Sequence, residues 1–331
     1  MKTILSVDGG GVRGIIPLAC LVRLESQRGK PCREIFDMVA GTSTGAVIAA
    51  GIALGISARG LLAIYRDLTR RAFQRLPWWQ VLLNLGNHRY DNAFVGETLQ
   101  ELGADVPLNR LPIDVLITAK NTRTSRTDFF VRDNPGNACL WGGMLLQDAV
   151  LASIAAPTYF PAHTASVRGV QHTWVDGGVG VAGNPCYQAA VEALHYSGGL
   201  YTPGETQLLA FGTGRSPKGI DAGRANLLQW GLWVLEELLE DTGEWQTYVT
   251  RREYGKSDRI DFRRYQLVLA VVVMNLLGVE VPAGVDVASI GLDATWAVEL
   301  LEAIGKAFAD RIDFDNPAGL ELPEDMPASR R

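Results

Sequence analysis

The chain has 331 residues, 47% of them hydrophobic and 20% charged, with 36 Gly and 15 Pro. A disordered chain carries far less apolar material, and a coiled coil carries more charge and fewer glycines, so both are excluded. Lys and Arg number 31 against 36 Asp and Glu, a net charge of −5, which gives no electrostatic footprint for a nucleic-acid polymer. The cysteines at 20, 32, 139 and 186 are scattered, too sparse for a disulfide scaffold, and read as reduced thiols. The N-terminus lacks the apolar run and cleavage site of a signal peptide. The longest apolar run, 267–274, falls short of the roughly 20 residues needed to span a bilayer. The expectation is a cytoplasmic protein that rests at most on the inner membrane surface.

In chain order, residues 3–7 predict a buried strand that ends in glycines. Residues 15–28 carry apolar side chains at 15, 16, 18, 19, 21, 22 and 24, a helix with a wide buried face. Residues 36–40 predict a second strand and 46–54 a helix of small residues, after which Ser57 caps a helix running to about Arg71. The patch 76–87 around Trp78 and Trp79 reads as an interfacial lid or as core. Further strands are predicted at 113–120, 128–131, 172–175 and 207–211, and a helix at 225–240. Alternating strand and helix imply an α/β fold whose parallel sheet is covered on both faces. No linker divides the chain. A single domain is expected over 1–315, with a motif-bearing core at 1–215, a C-terminal elaboration at 216–315, and a Pro-rich flexible tail at 316–331.

Three strand ends carry candidate chemistry. Asp8-Gly9-Gly10-Gly11-Val12-Arg13-Gly14 opens a helix, where backbone N–H groups and the helix dipole favour an anion. Its Gly9-x-Gly11-x-x-Gly14 spacing fits a dinucleotide loop with Asp37 as ribose partner, an oxyanion hole, or a tight turn that binds nothing. Gly41-Thr42-Ser43-Thr44-Gly45 lies between a strand and a helix, the setting of a nucleophile elbow with Ser43 as nucleophile; a Ser/Thr-rich helix cap is the plainer alternative. Asp176-Gly177-Gly178 ends another strand, as a functional acid or an Asp-Gly turn. These sites would meet at the carboxyl edge of one sheet. Ser43, Asp176 and His195 follow the order of an α/β-hydrolase triad, but about 40 residues before Ser43 hold too few strands for that fold, and His195 sits in a helical stretch.

The motifs DGGGVRG at 8–14, GTSTG at 41–45 and DGG at 176–178, in that order, resemble those of the patatin-like phospholipase family. SIAAPTYFP at 153–161 and FGTG at 211–214 look like further family segments, so the resemblance covers about 1–215. It implies a three-layer α/β/α fold with a mainly parallel central sheet and a Ser–Asp dyad without histidine. Ser43 would be the nucleophile and Asp176 the base. The amides of Gly9, Gly10 and Gly11 would form the oxyanion hole with Arg13 nearby, and Gly41, Gly45, Gly177 and Gly178 would support the motifs. The implied substrate is a phospholipid or another acyl-ester lipid, reached by peripheral membrane contact, with no metal or organic cofactor. Relatives of this layout include bacterial effector lipases switched on by cyclic nucleotides in phage defence, so a cyclic nucleotide is the implied activator. An esterase or thioesterase on soluble acyl substrates and a nucleotide-binding module are the alternatives. An exposed Asp, of pKa about 3.9, is a poor base for a serine. Burial would have to raise it, and oxyanion amides, each worth on the order of 3 kcal/mol, would have to supply much of the rest.

Overall fold

The computed structural model describes residues 1–74, 88–136, 140–217 and 219–323. Among them nine strands form one sheet: β1 (Lys2–Val7), β2 (Met38–Thr42), β3 (Asp114–Asn121), β4 (Thr127–Val131), β5 (His163–Val167), β6 (Val170–Asp176), β7 (Thr206–Phe211), β8 (Asp261–Gln266) and β9 (Gly319–Glu321). The run β3-β2-β1-β7-β8-β9 is parallel throughout, and β4, β5 and β6 add antiparallel pairings at the β3 end. The helices that matter here are α1 (Ile15–Arg28), α2 (Thr44–Ala53), α3 (Ala58–Ala72), α4 (Leu146–Ser153), α5 (Cys186–Val191), α6 (Leu227–Thr250) and α7 (Val298–Ala309).

Side chains alternate across a strand, and here both faces are apolar. Leu5, Val7, Val39, Val115, Ile117, Leu209 and Phe211 join one buried cluster with α1, α2, α3, α4 and α7. Their neighbours Ile4, Met38, Ala40, Leu116, Leu208 and Ala210 join a second cluster with Cys186, Ala189 and Ala190 of α5. Three layers follow from that period of two.

The pairing of β3 brings distant segments together. β2 pairs with residues 114–118 of β3 and β4 with 116–120, so these two occupy opposite edges. β6 pairs with 119–121, overlapping β4 but not β2. It therefore follows β2 end to end along one edge, and Asp176, opposite Ala119, arrives one step past Thr42, opposite Thr118.

The structure corrects several boundaries. The second strand starts at Met38, because Phe36 still closes the short helix Cys32–Ile35. β8, DFRRYQ, was not expected, since its two arginines and Asp break the apolar pattern of a buried strand. The flexible tail expected from 316 gives way to β9, which pairs with β8 and ties Glu321 to Arg251. Pro317 and Pro323 flank that short edge strand rather than interrupt it, as proline requires. In the run 267–274, residues 267–270 form a buried loop and the rest open the helix Val271–Leu277, with Val271 and Val272 exposed. Trp78, Trp79 and residues 324–331 lie outside the described residues.

Cys20, Cys32 and Cys186 are buried and free, and burial pushes the Cys186 thiol up to about 12. No helix among the described residues is long and apolar enough to cross a membrane. Ending the chain at residue 318 removes β9 and exposes the β8 edge. We expect a loss on the order of 1 kcal/mol and a fall of a few degrees in Tm, read by thermal unfolding.

Candidate active site

Ser43 joins β2 to α2 in a sharp turn with φ +54° and is half-buried. Such a conformation is costly for a non-glycine residue and persists only where its surroundings hold it. The flanking glycines allow the turn to sit this close to β1: a Cβ on Gly45 would lie 2.1 Å from the Val7 carbonyl oxygen. Gly41 meets Gly45 across the same turn.

Asp176 ends β6 and opens a short turn at Gly177–Val179, where its Oδ1 accepts the Gly178 N–H at 2.8 Å. The Ser43 side chain lies near enough to this carboxylate to act on its pKa. The residue is 3% exposed. Burial pushes the carboxyl up to about 6 from 3.8, against the lowering effect of the nearby Ser43 and of the Gly178 N–H.

The glycine loop is shaped from both sides. Gly11 has φ +54°, and a Cβ there would meet the Leu292 carbonyl oxygen at 2.1 Å. That same oxygen accepts the Val12 N–H at 2.8 Å, while the Gly11 carbonyl takes hydrogen bonds from Tyr65 Oη (2.5 Å) and Thr44 Oγ1 (2.7 Å). Two expected members of the oxyanion hole are engaged elsewhere. Gly9 donates its N–H to the Gly183 carbonyl at 2.9 Å, so that amide is committed to the protein. The Arg13 side chain is buried in an ion pair with Glu240 of α6 at 3.0 Å and does not line the cavity beside Ser43. Gly10 and Gly11 do line it, which leaves their amides as the candidate donors.

Asp8 forms a buried, two-point pair with Arg264 of β8, Oδ1 to Nη1 at 2.9 Å and Oδ2 to Nη2 at 2.6 Å. Burial alone would lower the Arg264 pKa, but the adjacent Asp8 carboxylate raises it and keeps the guanidinium charged. The dinucleotide reading loses its ribose partner: Asp37 binds the Thr3 N–H and Lys2 Nζ at the opposite end of β1 from the glycine loop. Arg264, Glu240, Leu292 and Tyr65 were not legible as site residues, because none belongs to a local motif and each reaches the loop only through the fold.

Ser43, Asp176, Gly10 and Gly11 line one cavity. Val47, Leu68, Phe73, Ile154, Tyr159 and Phe160 give it largely apolar walls, the lining usual in small-molecule sites. The histidines are used elsewhere. His195 meets Tyr254 at 3.2 Å, His163 meets Asp148 at 3.0 Å, His172 stacks on Trp174, and the His88 backbone forms a β-bridge with Thr158; none of the four lines the cavity. The triad order of Ser43, Asp176 and His195 is therefore not assembled.

Residues 5–190 match the family model for patatin-like phospholipase. The chain belongs to that family. A cGAMP-activated phospholipase of Escherichia coli (strain TW11681) is 34% identical over 203 residues, 58% of this chain and 55% of the relative. Patatin-15 of Solanum tuberosum is 29% identical over 198 residues, 56% of this chain and 51% of the relative. The matches thus span little more than half the length of these relatives. The solved VipD of Legionella pneumophila aligns over 91% of this chain and 66% of its own at 12% identity, with a TM-score of 0.39, too distant to bear on the site. Ser43 and Asp176 lie inside the family-model match, while the residues that grip the glycine loop at 213–292 lie past it.

Replacing Arg264 with Met leaves the Asp8 carboxylate buried without its partner. We expect a loss of about 3–5 kcal/mol in urea unfolding, with part of it recovered when Asp8→Asn is combined in the same chain.

Proposed function

We propose that the chain is a lipid acyl hydrolase of the phospholipase A type in which Ser43 is the nucleophile and Asp176 the general base. The observation that carries this reading is the buried Asp176 carboxylate facing the same apolar cavity as Ser43, near enough for the serine to act on its pKa. Ser43 Oγ attacks the ester carbonyl as its proton passes to Asp176. The charge on the carbonyl oxygen is met by the Gly10 and Gly11 amides. Collapse expels the alcohol, which takes the proton from Asp176 and leaves an acyl-serine. Water, deprotonated by Asp176, then releases the fatty acid and restores Ser43. The apolar walls favour a long acyl chain over the small acyl groups of a soluble esterase substrate, and such substrates lie in a bilayer, so the working place is the inner membrane surface.

A cyclic nucleotide activator is the second element of the proposal. The E. coli relative is named for activation by cGAMP. In this chain the Arg13–Glu240 pair ties the glycine loop to α6, outside the matched region, which offers a route for a bound ligand to act on the loop. Assays with and without cyclic dinucleotides test this, and equal rates under both conditions would exclude it.

Hydrolysis of mixed phospholipids should fall by about 10⁴-fold or more in Ser43→Ala and by about 10²–10⁴-fold in Asp176→Asn. Asp176→Asn with near wild-type turnover would refute the dyad.

The base must be ionised, so the wild-type rate should rise with pH through about 6, the value to which burial pushes Asp176. Stability runs the other way. The folded carboxyl holds its proton up to about 6 and the unfolded one only to about 3.8, so Asp176 costs stability once pH exceeds that window. Asp176→Asn should therefore fold at pH 7–8 and gain on the order of 2 kcal/mol in chemical unfolding.

A further inference from the structure

The strained turn at Ser43 and the end of β6 at Asp176 rest on one short segment at the end of α4. Ser153 is fully buried, and its Oγ accepts the Ser43 backbone N–H at 2.8 Å. Two residues further on, the Ala155 carbonyl accepts the Asp176 backbone N–H at 3.0 Å. The chain from 153 to 155 therefore holds the backbones of both residues at once. Ser43 sits in a left-handed conformation that gains nothing from its own φ and ψ, and its N–H has no helical acceptor because it precedes the first turn of α2. The side-chain oxygen of Ser153 supplies that acceptor. A main-chain carbonyl could serve only if α4 ended differently, whereas a hydroxyl at the last helical position reaches across without altering the helix.

We propose that Ser153 is a positioning residue: through its hydrogen bond to the Ser43 N–H it fixes the nucleophile against Asp176, whose own backbone is held by Ala155. This rests on the Ser43–Asp176 reading above. Ser153 touches neither substrate nor a reacting atom. Its loss frees the turn to relax and moves Oγ away from the carboxylate, which slows chemistry while leaving the apolar cavity, and so substrate binding, in place.

The test compares Ser153→Ala, Ser153→Cys and Ser153→Thr with wild type on one phospholipid in mixed micelles, and follows labelling of Ser43 by a fluorophosphonate. The activator, if wild type needs one, is present throughout. Folding is checked by circular dichroism. Ala removes the acceptor, Cys keeps the volume with a weakly accepting sulfur, and Thr keeps the oxygen. The expected result is a kcat lower by about tenfold or more in Ala and Cys, KM within about twofold of wild type, and slower labelling in parallel. Thr should keep kcat within about threefold of wild type. If Ala does not fold, Cys against Thr carries the same comparison. A folded Ala or Cys variant with wild-type kcat overturns the proposal, as does a Thr variant as slow as Cys, which would make Ser153 a packing residue. A wild type that is inactive, or a Ser43→Ala variant that is not, would instead refute the Ser43–Asp176 reading itself.

Discussion

The site depends on how β3 shares one of its edges. β2 occupies the first five residues of that edge and β6 the last three, so the end of one strand abuts the end of the other. β2 runs parallel to β3 and β6 antiparallel, and both therefore deliver their C-terminal residues to the same point. Ser43 follows the first, and Asp176 ends the second. A parallel sheet collects strand ends at its carboxyl edge in any case. The antiparallel β6 brings in an acid from 133 residues downstream that a purely parallel order would have set a strand or more away.

Burial at that junction works against stability and in favour of chemistry. An ionised carboxylate out of water is unfavourable, and the nearby Ser43 and the Gly178 N–H offset only part of the cost. The same desolvation raises the basicity of Asp176 toward what a serine hydroxyl needs. A histidine is unnecessary for that adjustment, and none of the four histidines lines the cavity. The strain of Ser43 and the burial of Asp176 are both tolerated because small-residue packing behind them is tight, with α2 fully buried along most of its length.

The glycine loop shows a different dependence. Its motif residues lie at positions 8–14, but its conformation is held by Arg264, Glu240, Thr213 and Leu292. The Asp8–Arg264 pair is buried on both sides, so it is worth more as an anchor of geometry than as a source of net stability. The last third of the chain, with no motif of its own, thereby becomes part of the site. The family-model match ends at residue 190, and the elements beyond it are where this chain has room to differ in regulation without disturbing Ser43 or Asp176.

Sequence alone determined the local elements. The strand at 3–7, the helix at 15–28, the Ser57 cap and the small-residue helix behind Ser43 all follow from periodicity and capping, which are short-range effects. It also determined the ordered motifs that single out Ser43 and Asp176, because a sharp strand–helix turn demands glycine at fixed offsets. Tertiary structure alone decided which loop amides remain unengaged: the Gly9 N–H is claimed by Gly183, a partner 174 positions away. It decided that Arg13 turns to Glu240, that Asp37 lies at the far end of β1, and that an arginine-bearing segment at 261–266 is a buried strand, since its charges are matched by Asp8 and Asp261. It decided, too, that residues 319–321 close the sheet. Hydrogen bonds and ion pairs between distant segments leave no periodic trace in a chain, and only the packed sheet brings their partners within reach.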